Sequence, residues 1–202
     1  MLHMRSLSCG GSRSLASLLL LPGVLFSTLL CMPGLMFGWE AVAADCGGTV
    51  YERVVKYWDK IFGGSAVDSL SSMIPTADGG YLLGGYSNSG ATGDKSEASR
   101  GEDDYWVVKI DSGGGKVWDR RFGGSSYDDL CTVIATPDGG YLLGGSSASG
   151  ADGDKSEASR GSHDYWVVKI DGTGTKDWDK RFGGSGYDEM SSLIAIPGGG
   201  YL

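Results

Sequence analysis

The sequence predicts an all-β chain built from repeated, antiparallel four-stranded sheets behind an export signal. Three observations carry that expectation. One pattern recurs every 60 residues, opening at Trp58, Trp118 and Trp178. About two thirds of the positions in its two full copies, residues 58–117 and 118–177, are identical without a gap. Each copy holds four short strand-like runs parted by turn-forming residues. Periods of this size belong to solenoids, propellers and arrays, in which a unit buries its apolar face only against its neighbours.

The chain opens with residues 1–44, read as a signal peptide. Arg5 and Arg13 precede an apolar stretch from about residue 15 to residue 39, and Ala41, Ala43 and Ala44 supply small residues for cleavage after Ala43 or Ala44. Positive charge, apolar run and small residues, in that order, mark a secretory signal. The rival is a retained anchor, since about 20 apolar residues span a bilayer. Pro22, Gly23, Pro33 and Gly34 interrupt this run. A lipoprotein site is disfavoured because Leu30 precedes Cys31 and Asp45 precedes Cys46, where a small residue belongs. The expected localisation is secreted or cell surface, with a membrane contact only if the first segment stays uncleaved.

Residues 45–57 read as a lead-in. After cleavage Cys46 and Cys131 remain, enough for one bridge in an oxidising compartment. Cys131 stands where the other copies have Ser71 and Ser191, so the repeat does not depend on a disulfide. Seventeen basic against 25 acidic residues leave a formal charge of -8. No basic stripe is present to neutralise phosphates, which argues against a nucleic-acid partner.

In the second copy the first strand is expected at residues 118–122, ended by Gly123-Gly124, and the second at about 130–136. Pro137-Asp138-Gly139-Gly140 follows, in which proline presets φ and glycine accepts positive φ. The third strand is expected at 141–145 and the fourth at 164–170. Alternation puts Trp166, Val168 and Ile170 on one face of the fourth and Tyr165, Val167 and Lys169 on the other. Both faces carry apolar mass, so cover on both sides is expected. The same alternation sends Leu130 and Ile134 one way and Val133 the other. Sheets stacked face to face supply that cover, and four strands per unit matches a β-propeller blade.

Three stretches, Trp-Asp-x-x-Phe-Gly-Gly-Ser, Asp-Gly-Gly-Tyr-Leu-Leu-Gly-Gly and Asp-Tyr-Trp-Val-Val-Lys-Ile-Asp, recur in this chain. They resemble the units of secreted bacterial β-propeller repeat proteins. The connection from Asp171 through Lys176 to Trp178 is also similar to that of quinoprotein-type propellers, with a different spacing. The resemblance covers residues 58–202 and implies architecture and export rather than a chemistry. Propellers usually close with about 4 to 8 blades. A third copy that stops inside its third strand therefore predicts a piece of a longer gene product, or an open array that completes itself by association through its open ends.

The loop at residues 153–161 repeats residues 93–101 letter for letter. Asp152, Asp154, Ser156 and Glu157 offer hard oxygen ligands for calcium. Thr92 replaces Asp152 in the first copy, which weakens that reading. The favoured one is a short capped helical turn, with Asp154 as N-cap, Glu157 closing a capping box and Arg160 and Gly161 at the C-terminal end. The double glycines Gly84-Gly85 and Gly144-Gly145 lead into no P-loop helix and are read as sites of close sheet packing or a bulge.

His163 has no second histidine or cysteine cluster, so it is read as a surface residue rather than a zinc or triad member. Asp103, Asp104 and Asp164 are candidate acid/base carboxylates, with solvated strand entries as the simpler reading. Trp58, Trp118 and Trp178 with Tyr81, Tyr141 and Tyr201 are candidate sugar-stacking surfaces, but their recurrence in every unit favours core positions. No catalytic residue, metal or cofactor is expected. The function read from the sequence is an exported, non-enzymatic scaffold or binding module, with a cell-surface protein or glycan as partner. The alternative is part of a secreted quinoprotein-like or glycan-acting propeller enzyme with its active site elsewhere.

Overall fold

The structure, a computed structural model, describes residues 39–44, 50–54, 58–196 and 200. The chain divides into two units, Met1–Tyr57 and Trp58–Leu202. In the first, β1 (Trp39–Ala44) pairs antiparallel with β2 (Val50–Val54). The rest of the expected signal segment, and Cys46, lie outside the described residues.

The second unit contains two antiparallel four-stranded sheets. The first runs in chain order through β3 (Asp68–Pro75), β4 (Tyr81–Ser87), β5 (Asp104–Ile110) and β6 (Lys116–Phe122). The second repeats it with β7 (Asp128–Ala135), β8 (Tyr141–Ser147), β9 (Asp164–Ile170) and β10 (Lys176–Phe182). The tight turns form as their residues dictate: Gly79 and Gly139 take φ of 82° and 84° after Asp78 and Asp138. Each aspartate accepts from the backbone N–H of the second following glycine.

The sheet is offset from the sequence copy by one strand. Trp118 opens the second copy, yet β6 pairs with β5 of the first, Trp118 facing Lys109. The reason is connectivity. The hairpin turn from Asp111 to Gly115 is too short to send the chain anywhere but back along β5, whereas Gly123-Gly124 breaks the run before β7.

A bulge corrects the expected faces of the second strand. Register shifts between Leu130 and Thr132, so one extra residue resets the alternation. Leu130 and Val133 then both enter the core between the sheets, while Ile134 turns to the opposite side with Leu142 and Val167. The central strands are covered on both faces, and all seven residues of β5 are buried.

The core between the sheets joins Leu82, Tyr105, Val107 and Phe122 of the first to Leu130, Leu143, Trp166 and Val168 of the second. Gly84 makes the approach possible, since a Cβ there would stand 2.4 Å from Val133 and 2.5 Å from Leu130. Gly85 sits at the bulge, where a Cβ would strike the Ser69 carbonyl at 1.7 Å. The buried tryptophan of each sheet belongs to the fourth predicted strand, Trp106 and Trp166. Trp58 and Trp118 instead lie over the hairpin turns at Gly114 and Gly174, and Trp178 is exposed. Residues 183–196 then lay Met190 and Leu193 over Leu142 and Val167.

Candidate functional site

The chemistry-bearing residues gather along the loops between the third and fourth predicted strands, and the helical turn expected there does not form. Residues 152–155 make a single turn, with the Lys155 N–H donating to the Asp152 carbonyl at 2.9 Å. Asp154 does not cap it. Its carboxylate reaches the preceding sheet, accepting from Arg100 Nη1 at 2.6 Å, Arg121 Nη1 at 3.3 Å and the Gly123 N–H at 3.3 Å. Two guanidinium groups offer this carboxylate full opposite charges, where a cap offers only backbone N–H groups.

The four calcium candidates point to separate partners. Asp152 accepts from the Ser125 N–H and hydroxyl. The Ser156 N–H and hydroxyl donate to Asp179, and Glu157 accepts from Arg181 at 3.2 Å. Among the described residues no group of three or more His, Cys, Asp or Glu is placed to hold a metal ion.

Lys95 and Lys155, passed over in the sequence, are the buried centres of the two loops. Lys95 Nζ donates to the Ser87 hydroxyl at 2.9 Å, the Ser89 carbonyl at 3.1 Å and the Ser99 hydroxyl at 2.5 Å. Lys155 repeats this with the Ser149 carbonyl and the Ser159 hydroxyl. Burial holds both ammonium groups below the usual lysine range, with nearby aspartates opposing it. Asp119 was likewise missed. It accepts from Trp106 Nε1, the Ser96 N–H and Lys116, tying the loop to the sheet edge. Burial alone would raise its pKa, but these donors outweigh that and leave it lowered. The signal available in the sequence was the Asp that follows Trp in every copy, read only as part of a strand.

Asp104 and Asp164 are fully buried at the strand entries rather than solvated. Each accepts from an arginine N–H in its own loop, Arg100 or Arg160, and sits beside Arg121 or Arg181. Burial raises the Asp104 pKa to about 6 against the pull of those donors. Asp103 and Asp129 are raised as well, by burial first and by neighbouring carboxylates second. His163 packs against Tyr187 with the rings tilted by 48° and their centroids 4.6 Å apart. Its carbonyl accepts from Asp188, as that of Asp103 accepts from Asp128. Asp104 can therefore hold a proton near pH 6, and the backbone carbonyls of Asp103 and His163 tie the strand entries to the next copy. Cys131 carries a free thiol that donates to the Ser191 carbonyl at 3.2 Å.

Comparison with protein-family models and with curated proteins finds no match to this chain.

Proposed function

We propose that this chain is an exported, non-enzymatic repeat module of β-propeller type that serves as a surface scaffold or binding domain. The observation that carries the reading is where the charges of the repeated loop go. Asp154, Glu157, Arg100, Arg121 and Asp119 are all bonded within the protein, and several bridge one sheet to the next. A loop copied letter for letter is thus spent on stacking sheets, which is what a repeat array needs from each unit. Four-stranded antiparallel sheets packed face to face agree with blades. The N-terminal charge and apolar pattern supports export, and the acidic surface favours a protein or glycan partner over nucleic acid.

Fractionation of the expressing cell with N-terminal sequencing, followed by glycan-array binding, tests the reading. The expected results are a product beginning near Ala44 or Asp45 outside the cytoplasm, and binding without turnover. Retention in the cytoplasm overturns the export reading. Turnover of quinone or glycan substrates by the chain overturns the non-enzymatic one.

A further inference from the structure

The outer face of the first sheet, partly covered by Trp58 and Phe62, carries a cavity of about 100 Å³ whose lining includes Phe62, Leu70, Leu83, Gly85, Trp106 and Val108. Sixty residues on stand Phe122, Leu130, Leu143, Gly145, Trp166 and Val168, the same residue type at every position. In that second setting the space is filled. Tyr105, fully buried, lies there with its ring centroid 4.9 Å from that of Trp166. Its hydroxyl donates to the Trp166 carbonyl at 3.0 Å and lies 2.7 Å from where a Cβ on Gly145 would be. The absence of a side chain at that glycine is what makes room for the hydroxyl.

We infer that the cavity on the first sheet is a tyrosine socket, and that its occupant is Tyr165 of a second copy of this chain. In the equivalent setting 60 residues on, this same lining takes up one phenol ring, that of Tyr105, so the space is shaped for the same group. Here the Trp106 carbonyl takes the part that the Trp166 carbonyl plays for Tyr105. Tyr165 stands 60 residues after Tyr105 in an identical Asp-Tyr-Trp-Val-Val-Lys-Ile strand. It is 37% exposed where Tyr105 is 0%. Around it Leu142, Gly144 and Val167 repeat Leu82, Gly84 and Val107, the surface on which the second sheet already sits. Socket and tyrosine lie on opposite faces of the sheet pair, so the contact is head to tail rather than two-fold. In this register residues 58–62 of one copy and 187–194 of the other stand where the opposing edge strands go, so docking requires both to move. Phe62 gives its place to Phe182 of the second copy, the counterpart of Phe122. The socket is a property of the sheet face and stands apart from the export reading.

Sedimentation velocity of the full chain across the micromolar range tests this. The expected result is concentration-dependent association that Tyr165→Ala abolishes. Tyr165→Phe keeps the ring but loses the hydroxyl, and weakens association about two- to tenfold, one net hydrogen bond. Leu70→Glu, at a 61% exposed position on the socket rim, also stops association. Mixing the Tyr165→Ala and Leu70→Glu chains restores one intact socket and one intact tyrosine, giving a 1:1 dimer that grows no further. Far-UV circular dichroism matching the parent shows that each variant is folded. A chain that stays monomeric throughout overturns the inference. So does association that survives Tyr165→Ala, or a mixture that yields no dimer.

Discussion

Arg100 donates to the Asp154 carboxylate at 2.6 Å, so two loops of identical sequence bind each other through different members of the same nine letters. Arg121 joins them from β6, contacting Asp154, Glu97 and Asp104. The two arginines differ in burial, and that decides their weight.

Arg100 is 39% exposed along its side chain, where ion pairs contribute about 0–1 kcal/mol. Arg121 is 7% exposed, and removing one partner of a buried pair costs about 3–5 kcal/mol. Urea denaturation is expected to show Arg100→Ala within about 1 kcal/mol of the parent and Arg121→Met several kcal/mol below it. Equal losses would mean that burial does not rank the two pairs.

Tyr105 fills the seam between the sheets, so Tyr105→Ala is expected to cost about 3–5 kcal/mol, the range for large aromatic deletions. Tyr105→Phe keeps the ring and loses only the bond to the Trp166 carbonyl, a net loss of about 1 kcal/mol. Thermal melts of both variants, compared with the parent, check the difference.

Gly84 and Gly144 are equivalent in sequence but not in surroundings. A Cβ on Gly84 would press on Val133 and Leu130 inside the core, whereas on Gly144 it would meet the Met190 sulfur at 2.7 Å. Overpacking a core costs about 1–3 kcal/mol, while methionine yields by changing rotamer. The denaturation midpoint is therefore expected to fall clearly for Gly84→Ala and little for Gly144→Ala.

Asp104 has a pKa of about 6 in the folded chain, above the ordinary value near 3.9. The folded state thus binds more protons than the unfolded one between those values. The stability linked to this group is fully present below about pH 4 and is lost as pH rises through 6. Asp103, Asp128 and Asp129 are raised in the same direction. Melting temperature is expected to climb on acidification from pH 7 to pH 5, and Asp104→Asn to flatten that slope. A parent that loses stability steadily over this range would contradict the assignment.

The period, the all-β class and the turns were legible because each rests on neighbours in the chain. Alternation over seven residues identified β5 and β9, and Asp-Gly-Gly marked the hairpins at Gly79 and Gly139. The site was less legible. Asp154 reads as a cap when only residues 154–157 are considered, and nothing beside Lys155 in the chain signals its burial.

Sequence by itself determined the 60-residue unit, its strands and the residues able to turn, since local propensity and patterning act within a few residues. Only the tertiary structure decided that Trp118 completes the preceding sheet. It also decided that a bulge turns Val133 inward, and that Asp154 answers Arg100 and Arg121 rather than its own loop. These outcomes depend on partners many residues away, and there the competition is won by burial and charge pairing rather than by local preference.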